Sequence, residues 1–417
     1  MQILVRSRIL SIVNTLKKAQ KNRLADCIEK NWNKTALDYS KELNSWQPAG
    51  PIEKELLDAF DKELERLEYP AYIKKEILES LERRRVLQTG PHLSATETPR
   101  FFCINWLGSL GVEEKDFYVV GMFSGIPFSN HTRPGRINKK VESINLFPSA
   151  LQDALVYQST ITPKLVEAIS ELPPDFARYL PEAKVGDSYT KWALGACQHI
   201  ERKILKKNNL VFLDINEVVT DYLIKVLTKP AHPFHKIFFD RNARAEFIKV
   251  LPNEIIFYGT VVDGKYKQME NFFFTSSGES LKSRNREISL ASPGVLIEEL
   301  REGRLCPALI LSFLALAFLN QFKCLGSFAQ VEYLPVYQEK LSKLSFLKEL
   351  KIEKVPTSNL TTGTFPDGKD LYPVDIIMGK LKFKPNTKIL FGELLLNMKK
   401  VLLESYFTGD SRINGKK

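Results

Sequence analysis

DFYVVGMF, residues 116–123, is the stretch on which the fold depends, since it is an almost unbroken run of aromatic and aliphatic side chains. Strands that are covered on both faces, as in parallel sheets, have such continuous apolar runs. Upstream, a short apolar segment at 86–88 is followed by a turn and by an apolar helical stretch at 101–110. Strand, turn, helix and strand in this order predict a βαβ unit in a parallel α/β sheet.

The same alternation returns further along the chain. Residues 190–206 have a helical pattern, LVFLD at 210–214 is another apolar run, and 217–227 is again helical. Residues 254–268 predict two strands that are joined by a tight turn at Asp263-Gly264, a dipeptide that fits the positive φ of hairpin turns. A parallel core and an added hairpin are therefore expected.

The first 86 residues are predicted to be helical. Apolar side chains recur there at spacings of three and four residues, which marks one buried helical face. Pro70 should end or kink this helix, because proline lacks the backbone N–H that an interior position needs. The apolar positions are Leu56, Leu57, Phe60, Leu64 and Leu67.

The chain is accordingly divided into three predicted regions. Residues 1–86 form a helical N-terminal region, 87–335 an α/β core with an inserted connecting segment, and 336–417 a helical and loop appendage at the C-terminus. Within them, 297–319 is predicted to be largely helical and an amphipathic helix is expected around 390–403.

Composition favours a folded globular protein, since 44% of the 417 residues are hydrophobic and 26% are charged. The net charge of +11 favours anionic partners, but the basic residues are not interleaved with aromatic ones, which disfavours nucleic acid. Five cysteines without CxxC spacing predict reduced thiols and a cytoplasmic location. The longest apolar run, 308–319, is shorter than the ~20 residues that cross a bilayer, so no membrane anchor is expected.

The first candidate site is the polar loop LQTGPHLSATETPR, residues 87–100. It follows a predicted strand, and ligands of parallel sheets bind beyond the carboxyl ends of the strands. A glycine there lets backbone N–H groups approach an anion, and a His and a Glu could serve as base and acid. The alternative is the capped start of a helix. The candidate residues are Thr89, Gly90, His92, Ser94, Glu97 and Arg100.

The second candidate site follows the apolar run at 116–123. Because adjacent parallel strands end at the same edge of a sheet, this loop is expected to lie beside the first one. The alternative is an exposed loop, which Pro127 and Pro134-Gly135 favour. The candidate residues are Ser124, Ser129, Asn130, His131, Arg133 and Arg136.

Two further segments carry polar side chains. KCLGSFAQVEYLPVY, residues 323–337, presents three of them where the chain leaves the core, namely Gln330, Glu332 and Tyr333. His232 and His235 have only Asp240 as a nearby third ligand, so no metal site is predicted.

In their order, these segments resemble the bacillithiol-synthesis cysteine ligase family. VLQTGPH at 86–92 resembles a Thr-Gly-Gln-Gln motif of that family through its Thr-Gly pair, with Pro-His in place of Gln-Gln. Residues 118–131 occupy the place of a strand that ends in an acid-His cluster, with Ser-Asn-His in place of the acids. Residues 206–227 and 292–337 are similar to the later segments of the family.

This resemblance implies a Rossmann-like core of the nucleotidyl-transferase/ligase type, with ATP or ADP as a possible cofactor and a homodimer as a possible assembly. It implies a ligase that joins an amino acid, such as cysteine, to an amine or hydroxyl of a small anionic acceptor. His92 or His131 would take the proton, Glu97 would be the acid, and arginines would neutralise negative charge.

Two other hypotheses remain open at this point. The chain could be a binding or accessory protein that keeps a ligase fold without the chemistry, and the missing acid cluster favours this. It could also associate with nucleic acid through its positive charge, in which case binding would weaken steeply with salt.

Overall fold

The structure is a computed structural model that describes residues 2–263, 266–366, 370–396 and 398. Five helices precede the first strand, so the helical character predicted for residues 1–86 is confirmed in the described part. Pro70 stands between the fourth and fifth of them, as predicted. They are α1 (Gln2–Lys18), α2 (Asn22–Asn31), α3 (Ala36–Asn44), α4 (Lys54–Arg66) and α5 (Ala71–Arg84).

Helix α4 has the predicted apolar face, but a narrower one. Leu56, Phe60 and Leu64 are fully buried, whereas Leu57 and Leu67 are half-buried. Leu57 lies about 100° around the helix from Leu56, which turns it away from the most buried stripe.

The rest of the chain alternates strands with mostly short helices. The strands are β1 (Val86–Gln88), β2 (Tyr118–Met122), β3 (Arg136–Ile137), β4 (Ile144–Asn145), β5 (Leu210–Asp214), β6 (Phe257–Asp263), β7 (Tyr266–Phe274), β8 (Ser280–Lys282), β9 (Glu287–Ser289), β10 (Leu305–Pro307) and β11 (Lys323–Leu325). The helices are α6 (Pro99–Ser109), α7 (Pro163–Ser170), α8 (Pro174–Ala177), α9 (Tyr189–Leu205), α10 (Ile215–Val226), α11 (Pro233–Phe239), α12 (Arg241–Val250), α13 (Pro293–Arg301), α14 (Leu309–Phe313), α15 (Phe328–Leu341), α16 (Pro373–Ile377) and α17 (Phe391–Leu396).

The central sheet is parallel and has four strands in the order β11-β1-β2-β5. All five residues of β2 are buried, as its unbroken apolar run predicted. Successive side chains point to opposite faces: Val120 belongs to one hydrophobic core, while Val119 belongs to a second. The sheet therefore separates two cores, and each core contains residues from all three predicted regions.

The outer edge of β5 is capped by side chains. Arg202 Nε donates to Leu210 O at 2.7 Å, Phe212 N donates to Gln198 Oε1 at 3.1 Å, and Asp214 N donates to Glu63 Oε1 at 2.9 Å. These bonds satisfy backbone groups that would otherwise offer an edge for pairing with another chain.

A second sheet corrects the expectation of a purely parallel core with one hairpin. It is antiparallel, with five strands in the order β10-β6-β7-β8-β9. Strands β6 and β7 are the predicted hairpin, and its turn residue Gly264 lies outside the described residues. Residues 305–307 lie within the stretch that was predicted to be largely helical, but they form β10 and pair with β6.

The segment after α15 returns to the parallel sheet. Gly326, directly after β11, forms a parallel bridge with Leu360, whose carbonyl accepts a hydrogen bond from Tyr39 OH at 2.7 Å. The helix expected around 390–403 is described only as α17, and the remainder lies outside the described residues. Among the helices of the described segments, none combines the length and apolarity that a membrane span requires.

Candidate functional site

The loops that follow β1 and β2 meet at the carboxyl edge of the parallel sheet. His92 forms a parallel bridge with Phe123, directly after β2. The imidazole rings of His92 and His131 lie with their centroids 5.7 Å apart at an interplanar angle of 64°. The two polar loops therefore contribute one histidine each to the same place, which we call the histidine pair.

A hydrogen-bond chain fixes the tautomer of His92. The backbone N–H and the hydroxyl of Thr132 both donate to Asn130 Oδ1 at 3.1 Å, which defines that atom as the amide oxygen. His92 Nδ1 lies 3.3 Å from the same oxygen and must therefore be the protonated, donating nitrogen. The neutral ring then keeps the lone pair of Nε2 for accepting a proton.

Arg100 provides the positive charge beside the histidine pair. Its guanidinium carbon lies 4.3 Å from the ring centroid of Phe328. Desolvation lowers the pKa of His92 below its usual value, and the charge of Arg100 lowers it further. Desolvation, then the charges of His92 and Arg100, lower the pKa of His131, although His131 is an exposed residue. Both imidazoles are thus neutral at pH 7.

Thr89, Gly90 and Gln330 join β1 to β11 beneath this edge. The Thr89 hydroxyl donates to Leu325 O at 3.0 Å and accepts from Gln330 Nε2 at 3.0 Å. A Cβ on Gly90 would lie 3.3 Å from Ser327 N, so the glycine permits a close approach of the two chains. Thr89 and Gln330, predicted to bind substrate, have their side chains committed to holding the loops, and Gly90 contributes only its backbone there.

Ser94 and Glu97 lie in a separate buried group. Ser94 Oγ donates to Glu97 Oε2 at 3.2 Å. Burial raises the pKa of Glu97 to about 8. Its carboxylate is grouped with Cys197 and Glu201 on α9, the ligating atoms all lying within 4.8 Å of one another. We call these three residues the buried triad.

The other predicted residues have different partners. Ser124 Oγ donates to Asp214 Oδ1 at 2.9 Å, and Ser129 Oγ donates to Asp153 at 3.1 Å on the exposed surface. Arg133 is exposed with a positive φ of 55°, and Arg136 is half-buried in β3.

Glu332 and Tyr333 are turned to other elements. Glu332 Oε1 accepts from Leu24 N at 2.9 Å, at the first turn of α2. The ring of Tyr333 packs between Phe313 and Tyr337 at centroid distances of 5.8 and 5.6 Å. Neither contributes to the histidine pair through these contacts.

Sequence reasoning missed an acidic cluster at the carboxyl end of β5. Glu63 is held by Arg66 in a bidentate ion pair with N–O distances of 2.6 and 2.8 Å. Burial, then the charge of Glu63, raises the pKa of Asp214 to about 7, and burial, then the charge of Asp214, raises that of Glu217 to about 8. The position of Asp214 at the end of an apolar run was the available signal.

A cavity of about 750 Å³ was also missed. It lies beside α9 and the edge strand β5, and its walls carry Arg66, Tyr69, Lys191 and Trp192. Lys191 is paired with Glu68 at 2.7 Å at its rim. None of the sequence-predicted site residues lines it in the part of the chain that the structure describes.

His232 and His235 have separate partners. His232 caps α11 by accepting from Phe234 N at 3.2 Å, and His235 Nδ1 donates to Leu227 O at 2.6 Å.

Comparison with known proteins gives no relative, since no family model, curated protein or solved structure matches the chain.

Proposed function

We propose that the chain is a ligase-like enzyme that joins the activated carboxyl group of an amino acid to an amine or hydroxyl of a small anionic acceptor. The observation that carries this proposal is the histidine pair beside Arg100, with the tautomer of His92 fixed by Asn130. Orientation of a base by a third group is a common feature of acyl-transfer sites.

The chemistry requires a base that is neutral at working pH. As the nucleophilic nitrogen bonds to the acyl carbon, its proton passes to Nε2 of His92 and the leaving group departs with its bonding electrons. A neutral imidazole can accept that proton, and the low pKa of His92 keeps the ring neutral. The guanidinium of Arg100 would attract the carboxylate or phosphate of the acceptor.

The strand order supports a Rossmann-like core within this proposal. In their order along the chain, the strands lie third, second, first and fourth across the sheet, as do the first four strands of a doubly wound nucleotide-binding fold. The reversal of order lies between β1 and β11, where α15 begins. ATP bound there would phosphorylate the carboxyl group and leave as ADP, and the acceptor would then displace phosphate; the homodimer and the cytoplasmic location are parts of the same proposal.

The test is an assay of the full chain with ATP, single amino acids including cysteine, and amine-bearing anionic acceptors, with products followed by mass spectrometry. We expect an amide or ester product that the double variant His92→Gln/His131→Gln does not form. The matched control is His235→Gln, whose ring lies on α11 and bonds to Leu227 O. Equal product from the double variant and the wild type would contradict the proposal.

The cavity of about 750 Å³ favours a second candidate, a small-ligand-binding protein without turnover. Its volume lies within the range of about 300–1,000 Å³ that small-molecule sites have. Native mass spectrometry of the purified chain would then detect a bound ligand, and Trp192→Ala would lose it while product formation stays absent.

A further inference from the structure

The buried triad brings together side chains from two distant parts of the sequence. Glu97 directly precedes the N-cap of α6, while Cys197 and Glu201 are four residues apart on α9 and therefore share one helical face. Asn105 on α6 completes the group, because its amide nitrogen donates to both oxygens of Glu201 at 3.2 and 3.1 Å. All four side chains are at most 1% exposed.

Two oxygen atoms of this group have no hydrogen-bond partner among the described residues. They are Glu97 Oε1 and Asn105 Oδ1. Buried oxygens in folded proteins are almost always satisfied by a donor, an ordered water or a cation. Glu97 Oε1 belongs to a carboxyl group of the triad itself, whereas the Asn105 amide faces Glu201 with its nitrogen.

The distances suit a single ion. Zinc bonds of about 2.0–2.3 Å in a tetrahedral arrangement place ligand atoms about 3.5 Å apart. The ligating atoms of the triad lie within 4.8 Å of one another, so shifts of about 1 Å suffice to close the shell. Ser94 Oγ and Asn105 Nδ2 already donate to the two carboxylates, as outer-shell donors do around metal ligands.

We propose that Glu97, Cys197 and Glu201 hold a divalent transition-metal ion. The sulfur ligand disfavours magnesium and calcium, which take oxygen ligands, and the mixed sulfur and oxygen set suits zinc, iron(II) or cobalt(II). Because the group is sealed from solvent, the ion is structural: it ties the loop that carries His92 to α6 and α9.

The rival explanation is that the two carboxyl groups and the thiol remain protonated and no ion binds. To distinguish the two, the full chain is expressed in minimal medium with zinc or with cobalt, and its metal content is measured by mass spectrometry. We expect about one ion per chain, and a thiolate-to-cobalt charge-transfer band in the cobalt form.

Three variants make the readout specific. Cys197→Ser should abolish the charge-transfer band, whereas Cys103→Ser, which changes another buried cysteine on α6, should leave it intact. Glu97→Gln/Glu201→Gln keeps the side-chain volumes and should lose the ion. A cobalt form of the wild type without the band, or less than about one tenth of an ion per chain, overturns the proposal even where a variant does not fold.

Discussion

The histidine pair and the buried acids differ in what burial does to them. His92 and His131 lie at the edge of the sheet, where desolvation lowers their pKa and leaves neutral bases. Asp214 is fully buried and Glu217 is half-buried, and the same desolvation raises their pKa and favours neutral acids. Burial disfavours the charged form in both regions, so at neutral pH the histidine pair offers proton acceptors and the acids offer proton donors.

The largest expected effect is on catalysis, and it tests whether the histidine pair accepts a proton. We predict that His92→Gln lowers kcat/KM about 10²- to 10⁴-fold, the usual contribution of a general base, because glutamine cannot accept the proton. The free energy of unfolding should change by less than about 1 kcal/mol, since the side chain is half-buried at an edge. Steady-state kinetics and chemical denaturation measure the two quantities.

His131→Gln serves as the matched comparison for this prediction. If His131→Gln lowers kcat/KM more than His92→Gln does, the general base is His131, the more exposed of the two rings. If both variants keep the kcat/KM of the wild type, the histidine pair has no catalytic role.

A smaller loss of catalytic rate is expected when the orientation of the His92 ring is disturbed. Asn130→Ala removes the oxygen that holds Nδ1–H, so both tautomers become populated. We predict a fall in kcat of roughly 10- to 100-fold, part of the general-base contribution, with little change in KM. Thr132→Val is the control, because it deletes one donor to Asn130 while the backbone N–H remains. A KM effect alone would make Asn130 a substrate ligand, as the sequence suggested.

The buried acids predict a pH dependence of stability. Asp214 has a folded pKa of about 7, above that of an unfolded Asp, so the folded state binds more protons. The contribution of this protonated carboxyl group to the free energy of unfolding is fully present below about pH 4. It is lost as pH rises through about 7. We predict that Asp214→Asn, which keeps an acceptor for Ser124 Oγ, reduces this decline by on the order of 1–2 kcal/mol in urea titrations from pH 5 to 8. An unchanged slope would mean that Asp214 is ionised in the folded chain.

Local patterns account for the parts of the fold that the sequence predicted. The apolar run of β2 and the spacing along α4 depend on neighbours within one element, and the meeting of the two loops follows from parallel pairing. The buried triad depends on a contact between Glu97 and α9, about a hundred residues away, for which no local pattern exists. Gln330 and Glu332 illustrate a further limit: two residues apart on a helix, they point about 200° apart, so only the first reaches Thr89.

The smallest expected effect concerns Arg100, whose charge acts on both rings of the histidine pair. Its charge lowers the pKa of both histidines, so Arg100→Gln should raise these pKa values and move the acid limb of the kcat/KM profile to higher pH. The KM of an anionic acceptor should rise roughly 10-fold through loss of a charged hydrogen bond. Arg100→Lys keeps the charge and should retain the acid limb while losing bidentate binding. If Arg100→Gln raises KM but leaves the acid limb in place, then desolvation alone keeps the histidines neutral, and the arginine acts only on the ligand.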